Sequence, residues 1–169
     1  DRLVIDAKAD GNFYADCFLN IGQDSVGSRL NGIVTESMAE CDPIFVVLNG
    51  KSTVVEELLK NIKVVEQPEK VSVADLSGVS EQDFKNLIRE TGVDYVLVIN
   101  GYFLNKQEQP FNTIFHTISF SMYDKNKKSI LTDTNSYNTI ALNSCEKIKE
   151  ASKKCTKRMV KNILKEVSK

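Results

Sequence analysis

The strongest strand pattern in the chain is Val93-Asp-Tyr-Val-Leu-Val-Ile-Asn100. Both of its alternating sets of side chains are largely apolar, which is typical of a strand covered on both faces of a sheet. A helix is predicted just before it, with an apolar stripe centred on Phe84 and Leu87. Ser80 suits the N-cap of that helix, and Gly92 occupies the position that favours a left-handed C-cap. The central strand therefore follows directly from a capped helix.

The residues after this strand predict a meander. Gly101 is expected to mark a bulge or a close backbone approach. The polar run Asp124-Lys-Asn-Lys-Lys128 predicts a hairpin connection, and the more polar residues 129–141 suit a strand at a sheet edge. The strand before the hairpin, 113–123, alternates with period two. One face of it carries Ile114, His116, Ile118, Phe120 and Met122.

The residues before Ser80 alternate between strand and helix patterns. We predict strands at 2–7, 13–21 and 44–48, the last as a continuous apolar run, and helices over 25–41 and from Thr53. Residues 64–79 are mixed, with a short strand at 71–74. The order β-β-α-β-α-(β)-α-β-β-β-α predicts one α/β domain over 1–169, with α+β as the alternative. Its mixed sheet would be covered by helices.

Composition excludes several classes of protein. The 169 residues carry a formal net charge of −1, whereas a dedicated nucleic-acid binder normally has a basic excess. No stretch approaches the ~18 consecutive apolar residues of a spanning helix. The single histidine excludes a metal site that needs two imidazoles. We expect no nucleic acid, no transmembrane segment, no metal and no cofactor.

Charge is concentrated in the last predicted helix, 145–167. Residues 144–169 hold nine basic and three acidic side chains, a net +6, so the preceding residues sum to −7. The basic side, with Lys154, Lys157 and Arg158, would point outward and meet an acidic partner or anionic lipid headgroups. The alternative is an ordinary solvated, lysine-rich helix. The apolar side should dock on the sheet through Ile148, Ala151, Cys155, Met159 and Ile163.

Two features could carry chemistry. Asn49-Gly-Lys-Ser52 joins a strand to a helix, but a phosphate loop needs glycine where this chain has Phe45. A turn with a helix cap is the preferred interpretation, and a ligand or substrate cleft near Lys51 and Ser52 is the alternative. His116 could serve as a base, but Ser119 and Ser121 point to the opposite face. We therefore predict a packed or rim histidine.

The four cysteines are Cys17, Cys41, Cys145 and Cys155, and none forms a CxxC pair. Cys145 and Cys155 would lie roughly 15 Å apart along one helix, beyond the ~7 Å that a disulfide allows between Cα atoms. Two interpretations remain open: four reduced, buried thiols, or one disulfide that involves Cys41. The chain begins at Asp1 without a leader, and we expect a mature product whose export signal has been removed.

The order of motifs resembles a bacterial cell-envelope family. The members of this family include the TolB amino-terminal domain, the lipoprotein activators of penicillin-binding proteins and the globular part of the curli secretion lipoprotein. Glu90-Thr-Gly-Val-Asp-Tyr-Val-Leu-Val98 is similar to the family's "GADYVL" strand. The resemblance covers residues 13–141 and also rests on Cys17–Ile21, Leu30–Met38, Ile44–Leu48, Val54–Lys60 and the hairpin at Asp124–Lys128.

The resemblance implies a TolB-like fold and a non-enzymatic role. We expect a periplasmic domain, lipid-anchored at the outer membrane of a Gram-negative bacterium, that binds a protein partner in envelope assembly or maintenance. The long membrane-spanning hairpins of the curli pore have no room in this chain. The candidate partner-binding residues are Tyr137 on the predicted edge strand, and Lys154, Lys157 and Arg158 on the last helix.

Overall fold

A computed structural model describes residues 32–40, 53–66, 72–107, 109–111, 113–140 and 145–168. These residues combine helices and strands, so the predicted α/β class is confirmed. The helices are α1 (residues 32–40), α2 (Thr53–Asn61), α3 (Glu81–Thr91) and α4 (Cys145–Val167). The strands are β1 (Lys63–Glu66), β2 (Ser72–Asp75), β3 (Tyr95–Gln107), β4 (Thr113–Asp124) and β5 (Ser129–Ile140).

The strands that the structure describes form two sheets. β1 pairs with β2 in antiparallel fashion, with Lys63 opposite Asp75 and Glu66 opposite Ser72. The second sheet has the order β3-β4-β5, and its connections are too short for a parallel crossover. The strands predicted at 2–7, 13–21 and 44–48 lie outside the described residues. The mixed sheet therefore stays a prediction.

Two strand boundaries differ from the sequence-based prediction. β3 begins at Tyr95 and continues through Gly101 to Gln107, so the strand extends well beyond Asn100. Residues 64–79, predicted as mixed with one short strand, instead contain β2 and all of β1 except its first residue, Lys63. β1 was missed because its four residues are too few to show a period, and its pairing depends on β2.

The chain forms two compact units. The first contains the described residues of 47–100 and 119–133, and the second those of 3–46, 101–118 and 134–169. That residues 1–169 make one domain stays a prediction. The first unit buries one apolar cluster, in which helices α2 and α3 meet both sheets. Its members are Val55, Leu58, Ile62, Ala74, Leu76, Val79, Phe84, Leu87, Val96 and Tyr123.

The caps of α3 are those predicted from the sequence. The Ser80 hydroxyl accepts a hydrogen bond of 3.0 Å from the backbone N–H of Asp83, which satisfies one of the free donors of the first turn. Gly92 adopts a left-handed conformation with φ 67°, and its N–H donates to the carbonyl of Ile88 at 2.8 Å. A left-handed residue at this position favours glycine.

In the second unit, α4 spans the predicted residues and buries the predicted stripe. Ile148, Ala151, Cys155, Met159 and Ile163 are at most 3% exposed. The buried face is wider than the apolar stripe, however, because Ser152 and Thr156 are completely buried as well. Thr156 donates to the carbonyl of Ser152 at 2.9 Å. The hydroxyl of Ser152 lies 3.2 Å from Nδ1 of the buried His116.

Replacing Gly78 by alanine is expected to destabilise the protein by about 1–3 kcal/mol. A Cβ at this position would lie 2.7 Å from the backbone oxygen of Asn61, and a backbone atom cannot rotate away as a side chain can. Gly32→Ala is the matched control. A Cβ there meets nothing within 4 Å, and alanine is the better helix former by roughly 0.5–1 kcal/mol. Urea unfolding of both variants checks the prediction, and equal midpoints would contradict it.

Candidate functional site

The structure brings together two of the predicted partner-binding residues, which are 21 positions apart in the sequence. The guanidinium carbon of Arg158 on α4 lies 4.8 Å from the centre of the Tyr137 ring on β5. Arg158 Nη1 also donates to the backbone carbonyl of Ser136 at 3.4 Å. A cation over an aromatic face is worth about 0.5–1 kcal/mol at an exposed site. These two contacts restrain the exposed Arg158 side chain on the Tyr137 ring.

This contact follows from the way α4 packs on β5. Asn135 is the anchor: its side-chain oxygen accepts from Asn162 Nδ2 at 2.8 Å, and its carbonyl accepts from Cys155 Sγ at 3.5 Å. Cys155 and Asn162 lie one turn before and one turn after Arg158 on the helix. Tyr137 is two residues after Asn135, so it lies on the same side of the strand. The packing of α4 on β5 therefore places Arg158 over the Tyr137 ring.

Lys154 and Lys157 extend this surface along α4. They lie four and one residues before Arg158, and all three side chains are exposed. We call Tyr137, Lys154, Lys157 and Arg158 the β5–α4 surface. Lys154 forms no ion pair with any residue that the structure describes, so its charge faces solvent uncompensated.

Glu40 of α1 partly compensates the positive charge. It pairs with Lys153 at 3.1 Å and with Lys157 at 3.5 Å. The hydrogen bond from Lys153 lowers the pKa of the Glu40 carboxyl below its usual value, with the Lys153 and Lys157 charges adding to the effect. Exposed pairs such as these are screened by solvent and contribute little to stability. They orient Lys157 more than they stabilise the fold.

His116 is packed inside the second unit, as predicted. It is completely buried on β4, and its Nδ1 lies 2.7 Å from the Tyr102 hydroxyl and 3.2 Å from the Ser152 hydroxyl. Its Nε2 has no hydrogen-bond partner among the described residues. Burial lowers the pKa of His116 to about 4, so the ring is neutral at neutral pH. We call His116, Tyr102 and Ser152 the histidine cluster.

The two serines near His116 in the sequence lie on the other face of β4, as the alternation predicts. Ser119 Oγ donates to the backbone carbonyl of Ser72 at 2.6 Å. Ser121 Oγ accepts from Asn100 Nδ2 at 2.9 Å and from the backbone N–H of Ala74 at 3.3 Å. Neither hydroxyl is bonded to His116.

These serines belong to a buried polar group that the sequence-based prediction missed. Asn100 Nδ2 also donates to the Ser72 carbonyl at 2.7 Å, so side chains of β3 and β4 hold the backbone of β2. The sequence feature that could have predicted this group is the alternation of Ser119 and Ser121 with the apolar Phe120 and Met122. Small hydroxyls on an otherwise apolar strand indicate a face that meets backbone polar groups. The role of this group is to fix the small sheet in the first unit.

Cys155 is a buried, reduced cysteine. Its thiol also approaches the carbonyl of His116, at 3.6 Å, and burial raises its pKa to about 12. Such a thiol is protonated and unreactive at neutral pH. Cys145 is the first residue of α4, ten positions away. Cys17 and Cys41 lie outside the described residues, as do Lys51 and Ser52, so the disulfide and the alternative cleft stay predictions.

The described residues contain neither a cluster of metal-ligating side chains nor a membrane-spanning helix. No group of three or more His, Cys, Asp or Glu side chains that could hold a metal ion occurs in them. None of the helices that the structure describes is both long and apolar enough to cross a membrane.

Comparison with known proteins finds a distant likeness to a solved structure. No protein-family model matches the sequence, and no characterised protein matches it either. The solved structure of lipoprotein GNA1162 from Neisseria meningitidis is similar, with 14% identity, a TM-score of 0.29 and an overlap that covers 53% of this chain. The chain spans 58% of the length of that lipoprotein. The TolB-like family assignment stays a prediction.

Proposed function

We propose that this protein is a non-enzymatic, lipid-anchored domain of the Gram-negative cell envelope that binds a protein partner through the β5–α4 surface. The observation that carries the binding proposal is the placement of the Arg158 guanidinium over the Tyr137 ring, 4.8 Å from its centre. The envelope assignment is supported by the sequence resemblance over residues 13–141. The role we infer is in envelope assembly or maintenance.

The residue types of this surface support protein binding. Tyrosine and arginine are enriched among the few interface residues that contribute most of the binding energy. Association normally requires about 0.5–1.5 kcal/mol to immobilise each flexible side chain. Here the contacts with Ser136 and Tyr137 already restrain Arg158. A partner would therefore meet an aromatic ring and a cation whose position is already partly restrained.

The charge of the surface indicates the character of the partner. Residues 144–169 carry a net charge of +6 in a chain whose overall charge is −1. A local excess of one sign attracts a partner of opposite charge and accelerates their encounter. We propose an acidic face on the partner, so that capture should weaken as the salt concentration rises.

Affinity capture from envelope extracts tests this proposal. We expect wild-type protein to retain a specific partner and Tyr137→Ala/Arg158→Ala protein to lose it by about 30-fold or more, since the loss of even one central interface residue costs roughly 2 kcal/mol or more. The matched control is Tyr95→Ala/Arg89→Ala, which removes the same two residue types from other exposed positions. Equal recovery on all three proteins would refute the assignment of the surface, and no specific protein on any of them would refute the function.

A further inference from the structure

A recess lies along the last part of α4, separate from Tyr137. It is open to solvent, has a volume of about 570 Å³, and the described residues that line it belong to α4, except Ser168, which follows the end of the helix. Val160, which is buried, and Leu164, which is half-buried, give it apolar walls. The polar lining residues are Lys157, Lys161, Lys165 and Ser168.

The lysines of this recess form a regular row. Lys157, Lys161 and Lys165 recur every four residues, which places successive side chains about 6 Å apart along the helix. Lys161 and Lys165 are exposed and have no ion pair within the described part of the chain. Lys161 and Lys165 therefore present positive charge that no described carboxylate pairs with, whereas Lys157 is paired with Glu40 at 3.5 Å.

We infer that this recess binds the surface of an anionic phospholipid bilayer. The ammonium groups would contact the phosphates of the headgroups, while the half-buried Leu164 and the lysine stems meet the start of the acyl chains. Long lysine stems can lie along apolar surface with the charged end in the headgroup layer. This inference does not rest on the proposed protein partner.

The composition of the recess favours lipid over protein as the occupant. Lysine is depleted at protein interfaces, and aromatic residues and arginine are enriched there. The described lining of the recess contains no aromatic residue and no arginine, in contrast to the β5–α4 surface with Tyr137 and Arg158. An anionic membrane instead attracts lysines individually, at about 1 kcal/mol for each one near the surface.

Vesicle co-sedimentation tests the inference. The full chain is mixed with vesicles of phosphatidylcholine alone or of phosphatidylcholine with phosphatidylglycerol. We expect binding only to the anionic vesicles, and a reduction of about 30-fold or more for Lys161→Glu/Lys165→Glu, since two lysine contributions are lost. The matched control is Lys125→Glu/Lys128→Glu, which makes the same change of net charge at exposed positions of the hairpin.

The outcomes are decisive in both directions. Retained binding by the hairpin variant together with lost binding by the α4 variant supports the inference. Equal loss by both variants would show an effect of net charge alone and overturn it. So would binding to neutral vesicles, or binding of wild-type protein to polyglutamate but not to anionic vesicles. Far-ultraviolet circular dichroism of each variant verifies that α4 is intact.

Discussion

Acidification from about pH 7 to about pH 5 is expected to destabilise the protein by on the order of 2 kcal/mol through His116 alone. The pKa of this imidazole is lowered from 6.5 to about 4 because the ring is completely buried. It is the single histidine of the chain. The histidine cluster thus makes stability depend on pH in a range where few other groups titrate.

The sign follows from proton binding in the two states. Between pH 6.5 and about 4 the unfolded chain holds a proton on His116 and the folded protein does not. Falling pH therefore favours the unfolded chain. The carboxyls of Glu40 and Asp75 also have lowered pKa values, and their contribution to stability is lost only as pH falls below their ordinary values. Stability measurements made above pH 5 therefore exclude most of the contribution from these two carboxyls.

Urea unfolding at several pH values measures this dependence. His116→Asn should be less stable at pH 7 but lose much less stability on acidification, because an amide can accept a hydrogen bond from Tyr102 and does not titrate. Tyr102→Phe keeps the buried imidazole and should keep the dependence on pH. If wild-type protein and His116→Asn lost equal free energy of unfolding between pH 7 and pH 5, His116 would not be the buried neutral group described above.

Phe84→Ala is expected to reduce the free energy of unfolding by about 3–5 kcal/mol. Phe84 lies on α3, is 1% exposed, and packs in the apolar cluster of the first unit. Truncation to alanine would remove most of the ring from a site that neighbouring helices and strands hold open. A loss of this size is a large part of the ~5–15 kcal/mol that stabilises a typical domain.

Phe111→Ala is the matched control for this core substitution. Phe111 is 64% exposed, and surface substitutions usually change stability by no more than about 0.5 kcal/mol. The denaturant midpoints of both variants are compared with wild-type protein. A loss below about 1 kcal/mol at Phe84 would mean that α3 does not pack as described.

The sequence was sufficient to predict those elements that depend on interactions between residues close together in the chain. α3 could be predicted because Ser80 and Gly92 act within one turn of its ends. α4 could be predicted because an apolar stripe at helical spacing runs through its whole length. The hairpin at Asp124–Lys128 is local as well: its hydrogen bonds join residues at most four positions apart.

The remaining features depend on residues far apart in the chain. β1 is defined by its pairing with β2, and the Ser72, Asn100 and Ser121 contacts need three strands in register. Nothing in the spacing of Tyr137 and Arg158 indicates that they meet. That contact requires the packing angle of α4 on β5, which is set by the whole buried face of the helix. The sequence could therefore predict both residues as candidates for partner binding, but it could not predict that they contact each other.

Photo-crosslinking in living cells tests the central claim most directly. A benzophenone amino acid is placed at position 137 on the β5–α4 surface, or at position 95, where a tyrosine is 40% exposed. Binding through the β5–α4 surface predicts a defined covalent adduct with one envelope protein from position 137 and none from position 95. It also predicts that Arg158→Ala weakens the adduct. No adduct from position 137, or the same adduct from both positions, would contradict the claim.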